Sequence, residues 1–351
     1  MPTSPAVCMC ATANAEECIT FFSSGSKINF MKRLVKNDEL KIQTIRSPSW
    51  VRCMAISATS DHLIVSTNCK KLQIYEIGTN LTLKASIEVY KRITCITYSD
   101  DGCVLFGDKT GRAYQWTVEQ QAAARNLFTK PLEEQSKEEI NSTQPNLMLG
   151  HCSLVTDIVY DKDNHFVITS DKDYKIRVNT YPQYYNIEMF LLGHTEYVSK
   201  MLLNDNKLIS GSGDGTIRIW DLKEGKEIVN TEIVDCVDSK SASHPLLFTD
   251  DKVLCSRGNK LFVMSHGLEV KQELDVGQCI LDVCLFSGLL ICSLAKEPYF
   301  VGYQWTISGL LPIPEEHPQL ELVASFTSLL DQISEETEEE ITEELFGLEK
   351  R

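Results

Sequence analysis

The sequence is short of positive charge. Its 351 residues carry 34 lysines and arginines against 49 aspartates and glutamates, a formal net charge of −15. Gripping a phosphate backbone needs clustered cations, so this balance argues against a protein that binds nucleic acid by itself. Long apolar runs are also missing. The longest uncharged one lies between Asp282 and Lys296 and is broken at Ser287-Gly288. It is too short for a membrane helix and predicts two strands joined by a turn. The opening segment, 1–15, lacks a basic region and a continuous apolar stretch, so no signal peptide is expected despite Ala13 and Ala15. Zinc-type spacing is absent around Cys8, Cys10 and Cys18, with no histidine nearby.

What is present fits a globular chain. Hydrophobic residues make up 43% and charged residues 24%, which excludes a mostly disordered protein. Thirteen cysteines is an odd number. Cys53, Cys95, Cys255, Cys284 and Cys292 sit in apolar, strand-like runs and read as buried thiols of a reducing compartment. The sequons at Asn80 and Asn141 then carry no weight. Nucleus or cytosol follows, and composition does not choose between them.

Catalytic patterns are lacking. Gly211-Ser212-Gly213-Asp214-Gly215 has the form GxGxG, but a strand, Thr216 to Trp220, follows it. A nucleotide site would need a helix there, so the motif reads as a turn between strands. His62, His165, His244, His266 and His317 show no nucleophile or metal spacing.

A repeat decides the architecture. From Gly193 the chain reads GHTEYVSKMLLNDNKLISGSGDGTIRIWDL. A Gly-His pair precedes one strand, Lys207 to Ser212 forms a second, and a third ends at Trp220-Asp221. This resembles the WD repeat, whose four strands make one propeller blade. His194, Ser210, Asp214 and Trp220 are expected to share one hydrogen-bond network, with Gly215 supplying a positive φ. Gly150-His151 stands 43 residues earlier. Aligning Ile168–Thr180 with Ile209–Asp221 pairs Thr169 with Ser210 and Asp173 with Asp214, while Asn179 replaces the tryptophan. Similar first strands predict an all-β, seven-bladed WD-repeat β-propeller over 1–326, with blades starting near residues 7, 51, 93, 155, 198, 239 and 280. Residues 119–146 are polar, with five acids and three basic residues, and read as a solvated, partly helical insert of the third blade. The segment 327–351 holds Asp331 and eight glutamates against Lys350 and Arg351 and reads as a disordered acidic tail.

Three stretches resemble one family, the non-catalytic WD-repeat subunit of the tRNA (guanine-N7)-methyltransferase, or Wuho family. They are Phe106 to Val118 (FGDKTGRAYQWTV), Leu149 to Val178 and Asn179 to Ser199, the last carrying LGHTEYVS. Arg112 stands where that family has an acid, Lys172 where it has Arg, and Tyr174 where it has Glu. The resemblance implies a heterodimer with a Rossmann-like catalytic subunit. That partner would bind S-adenosylmethionine and methylate a guanosine in the tRNA variable loop, so this chain would need no cofactor and no catalytic residue. It would meet tRNA mainly through the complex, without a membrane, in the nucleus and also the cytoplasm. By position, the family's partner-contacting blade places Lys172, Asp173, Lys175 and Arg177 at the interface, Arg177 foremost. Asp173 is also the expected turn acid, and Arg177 shares its blade position with Arg218, which leaves a capping role for both open. The competing class is a substrate receptor of a cullin-type ubiquitin ligase. Its W-D-x-R signature is incomplete here, because Trp220-Asp221-Leu222 is followed by Lys223.

Overall fold

The computed structural model describes residues 6–13, 17–34, 36, 39–233, 243–248, 252–286, 289–294, 300–306 and 309–313. They form seven four-stranded antiparallel sheets, the blades of a WD-repeat β-propeller. The first sheet holds β1 (Ala6–Ala13), β2 (Glu17–Ser24), β3 (Lys27–Leu34) and β4 (Glu39–Arg46). The second holds β5 (Val51–Ile56), β6 (His62–Thr67), β7 (Lys71–Ile77) and β8 (Leu81–Glu88). In the third are β9 (Ile93–Tyr98), β10 (Val104–Asp108), β11 (Arg112–Trp116) and β12 (Asn146–Gly150). The fourth comprises β13 (Val155–Asp161), β14 (Phe166–Asp171), β15 (Ile176–Thr180) and β16 (Ile187–Leu191). Next come β17 (Val198–Asn204), β18 (Lys207–Ser212), β19 (Thr216–Asp221) and β20 (Lys226–Glu232). The sixth sheet has β21 (Ser243–Phe248), β22 (Val253–Arg257), β23 (Lys260–Met264) and β24 (Val270–Asp275). The last has β25 (Ile280–Phe286), β26 (Leu289–Leu294), β27 (Phe300–Thr306) and β28 (Gly309–Pro312).

The expected starts are met within a residue in six sheets. The sixth begins at Ser243 rather than 239, and residues 234–242 lie outside the described ones, as does the acidic tail 327–351. The apolar run after Asp282 does split into two strands around Ser287-Gly288.

The chain divides into two compact units, Met1–Val51 with Gln278–Arg351, and Arg52–Gly277. The first contains two sheets, with Met9, Phe22, Met31, Leu289, Ile291 and Phe300 in its core. Within it Asp282 ties β25 to β1, its Oδ2 accepting from the Met9 amide at 2.8 Å. The second unit contains five sheets. Their second strands are buried on both faces, as in β10, β14 and β18, because each is sandwiched between neighbouring sheets. Outer strands such as β20 and β24 are largely exposed.

The insert is helical, as expected. α1 (Val118–Phe128) opens on a capping box between Thr117 and Gln120, and α2 (Lys137–Ser142) on one between Ser136 and Glu139. Trp116 pins the insert, donating from Nε1 to the Thr143 carbonyl at 2.8 Å.

Asp157 bridges two sheets of the second unit. Its Oδ2 accepts from the Met201 amide at 2.7 Å, and its Oδ1 from the Ile158 amide at 2.9 Å. Burial raises its pKa from 3.8 to about 6, against the pull of the Met201 amide and Lys200. The native state therefore holds this proton more tightly than the unfolded chain. Its contribution is full below the unfolded value and is lost as pH rises through about 6. Urea denaturation between about pH 4 and about pH 6 is expected to show a loss on the order of 2 kcal/mol from this group. Asp157→Asn removes that part of the pH dependence; an unchanged profile in the variant would contradict the assignment.

Candidate partner-binding site

The site rests on two histidine-centred networks. His194 lies between β16 and β17. Its Nε2 meets Ser210 Oγ at 2.7 Å and its Nδ1 meets Asp214 Oδ2 at 3.2 Å. Trp220 Nε1 donates to the same Ser210 Oγ at 2.8 Å. One tautomer satisfies the chain: Trp220 donates to Ser210, Ser210 to Nε2, and Nδ1–H to Asp214. The residue types are those of a nucleophile relay. Yet Ser210 is fully buried and its oxygen already accepts from Trp220, so no substrate reaches it. The network fixes the strands instead. Asp214 also accepts from the Thr195 and Thr216 amides, at 2.9 and 2.8 Å. Burial would raise its pKa, but the hydrogen bonds from His194, Thr216 and Thr195 hold it well below the usual carboxylate range. Gly215 has φ of 83°, and a Cβ there would clash with the Arg257 guanidinium.

In the preceding sheet His151 Nε2 meets Thr169 Oγ1 at 2.8 Å. Its Nδ1 meets Asp171 Oδ2 at 3.0 Å, not Asp173. The acid expected at Asp173 is thus corrected to Asp171. The carboxylate sits at the end of β14 and reaches across the turn to the Lys175 amide at 3.1 Å. Asp108 does the same in the third sheet, accepting from the Arg112 amide at 3.0 Å. Asp171→Ala leaves buried His151 without its acceptor and is expected to cost about 1–3 kcal/mol. Asp173→Ala should stay within about 0.5 kcal/mol. Thermal denaturation of the two variants checks the assignment; reversed effects would refute it. Asn179, in the tryptophan position, donates to the Tyr184 and Asn186 carbonyls at 2.8 and 3.2 Å.

Arg177 and Arg218 share a blade position but not a fate. Arg218 is spent on its own sheet, donating from Nε to Thr216 Oγ1 at 3.3 Å and pairing with Glu227. Arg177 donates from Nη1 to the Gly150 carbonyl at 3.1 Å. Among the described residues, its Nε and Nη2 are buried without an acceptor. Strand register gives the reason. Trp220 faces Glu227 across β19–β20, whereas Asn179 faces Ile187 across β15–β16, so an isoleucine stands where the paired glutamate would be. Burial pushes the Arg177 guanidinium below its ordinary pKa, partly opposed by Asp171. Such an orphaned cation is costly unless something outside the chain meets it.

Its surroundings are apolar and open. Ile187, Phe190 and Tyr174 are exposed, and Leu192 is 65% exposed. Phe190 lies opposite Arg177 in register. Lys175 stands over the Tyr174 ring at 5.7 Å, and the Lys172 amide donates to the Leu154 carbonyl at 2.9 Å. Lys172, Asp173, Lys175 and Arg177 therefore fall in one turn and strand beside this patch. Sequence reading missed the apolar half: Tyr174, Ile187, Phe190 and Leu192. The signal was available in β16, IEMFL, which exposes both Ile187 and Phe190, whereas β20 and β24 each expose one large apolar residue, Ile228 and Val270, among polar ones.

Comparison with known proteins places this sheet inside a family match. The family described as the tRNA methyltransferase TRM82 WD40 domain matches residues 115–264. Among curated proteins, a tRNA (guanine-N(7)-)-methyltransferase non-catalytic subunit wdr4 from Dictyostelium discoideum is 30% identical over 236 residues. That match covers 62% of this chain and 49% of the relative. A non-catalytic subunit wuho from Drosophila willistoni is 40% identical over 136 residues, 38% of this chain and 28% of the relative. The wuho protein of Anopheles gambiae is 50% identical over 86 residues, 24% of this chain and 22% of the relative. The chain thus spans about half, or less, of the length of these relatives. Among solved structures, the computationally designed Ika8 protein aligns with a TM-score of 0.62 and 18% identity. It covers 90% of this chain and 88% of the other, and shows the fold alone. The resemblance carried by residues 106–199 is borne out by the family and curated matches.

Proposed function

We propose that this chain is the non-catalytic WD-repeat subunit of a tRNA (guanine-N7)-methyltransferase. It binds the catalytic subunit as a heterodimer and stabilises its active shape, supporting 7-methylguanosine formation in the tRNA variable loop. S-adenosylmethionine belongs to the partner. The observation that supports the reading most is Arg177, a cation with two unmet donors set beside an exposed apolar patch in the family-matched region. Aromatic and arginine side chains surrounded by apolar contacts are the usual anchors of protein interfaces.

In this reading Arg177 turns outward, and its Nε–Nη2 edge meets a partner carboxylate bidentately. Lys172 and Lys175 steer the acidic surface inward, while Asp173 sets its register. Phe190, Ile187 and Leu192 supply the dry rim that keeps the pair desolvated. The net charge of −15 leaves tRNA to be held mainly through the complex. Residence in the nucleus, and also in the cytoplasm, is part of the proposal and rests on the family resemblance alone.

The test is methyl transfer to a tRNA transcript by the candidate catalytic subunit, with and without this chain. Activity that depends on the chain is the expected result. Equal activity in its absence would overturn the supporting role.

A further inference from the structure

The polar insert of the third sheet carries chemistry that partner binding does not use. Its segment Leu132 to Glu139 reads LEEQSKEE. Ser136 stands there among four carboxylates. Glu133 and Glu134 lie three and two residues before it, Glu138 and Glu139 two and three after. In the fold Glu139 closes the capping box. The Ser136 amide donates to Glu139 Oε2 at 3.1 Å, and the Glu139 amide donates to Ser136 Oγ at 3.2 Å. The hydroxyl oxygen thus accepts, while its own proton has no acceptor among the described residues. Ser136 is exposed, with extended backbone at φ −80° and ψ 155°. Ser170 also has an acid three residues on, Asp173, but is fully buried in β14.

The segment can open without disturbing the sheet. α1 is anchored, because Gln121 and Ala124 are buried and Gln121 Nε2 donates to the Gly102 and Trp116 carbonyls, both at 3.0 Å. Beyond α2 the chain is pinned again where Trp116 holds the Thr143 carbonyl. Between these anchors α2 has six residues, none of them buried. Its tie to the end of α1 is the Lys130–Glu139 pair, helped by Gln135 Nε2 donating to the Leu127 and Lys130 carbonyls at 3.2 and 3.0 Å. A helix this short is marginal by itself, so local opening costs far less than opening a blade.

We propose that Ser136 is a phosphorylation site for a protein kinase that reads acidic segments, and that the phosphate unlatches α2 from α1. The kinase takes the segment opened, so the helix end contributes nothing to recognition. Lysines and arginines of its groove meet Glu133, Glu134, Glu138 and Glu139. Ser136 Oγ attacks the γ-phosphorus of ATP, the hydroxyl proton passes to the kinase's base, and ADP leaves. The product carries a new charge of roughly −1.5 to −2 beside Glu139. Repulsion drives the Glu139 carboxylate off the Ser136 amide, and Lys130 turns from that carboxylate to the phosphate. The capping box and the tie to α1 are lost together. None of the residues around Arg177 takes part, so the site stands independently of the methyltransferase reading.

The test is treatment of the full chain with ATP and an acid-directed serine/threonine kinase of the casein-kinase type, mapped by mass spectrometry after trypsin. Lys130 precedes a proline, so Ser136 falls in the fragment that begins at Asn126. That fragment is expected to gain one phosphate, on Ser136, and none in Ser136→Ala. The double variant E138Q/E139Q should slow incorporation about tenfold or more. It also loosens α2, which would speed a reaction governed by opening alone, so slowing marks recognition of the acids. In the phosphorylated chain the Ile140 and Thr143 amides, which donate to the Ser136 and Ile140 carbonyls at 3.0 and 3.2 Å, should exchange with deuterium about tenfold faster. Four results would overturn the proposal: no phosphate in that fragment, phosphate confined to the glutamate-rich stretch around Ser334 and Thr337, equal rates for E138Q/E139Q and the parent, or unchanged exchange after phosphorylation.

Discussion

Trp220→Ala is expected to destabilise the protein by about 3–5 kcal/mol. The ring is among the largest fully enclosed side chains of the fold. It packs with Ile168, Ile176, Val178, Leu191 and Leu208, drawn from two adjacent sheets, so its loss opens a cavity between them. The loss also strips Ser210 of its donor, and His194 of the edge contact it makes with the ring at 6.2 Å. Trp220→Phe separates the two effects. It keeps much of the packing but removes Nε1–H, and should cost about 1–2 kcal/mol. Urea denaturation followed by circular dichroism measures both. A Trp220→Ala variant within about 1 kcal/mol of the parent would contradict a structural role for the network.

Arg177→Ala is expected to weaken binding of the catalytic subunit by roughly 2–5 kcal/mol, measured by titration calorimetry. The same substitution should leave the isolated chain about as stable as before, since it removes a buried cation with two unmet donors. That split distinguishes an interface residue from a blade cap. Arg218→Ala should behave oppositely, costing the free chain its pair with Glu227 while sparing partner affinity. Arg177→Lys should restore little, because an ammonium cannot present the planar edge. Equal affinity of parent and Arg177→Ala would remove Arg177 from the interface.

The blade carrying His194, Ser210, Asp214 and Trp220 was legible because every partner lies within one local stretch of fixed spacing. The insert was legible through its polarity, and its helices through capping residues such as Thr117 and Ser136. The turn acid of the neighbouring blade was misread for a specific reason. Alignment on the Asp-Gly of the fifth blade assumes that both acids stand at the same point of the turn. Asp171 instead ends its strand and reaches forward to the Lys175 amide, as Asp108 does to Arg112. Comparing DKTGR at 108 with DKDYK at 171 would have shown it. The exchange of Glu227 for Ile187 was hidden because both partners lie just past a bulge in the outer ladder, which defeats a residue-by-residue alignment.

The central claim is physical association through the fourth sheet. The most direct measurement is size-exclusion chromatography with light scattering on this chain co-expressed with the candidate tRNA guanine methyltransferase. The account predicts a single one-to-one species for the parent, and separate peaks when Arg177→Ala is combined with Phe190→Ala. Separate peaks for the parent at micromolar concentration would contradict it.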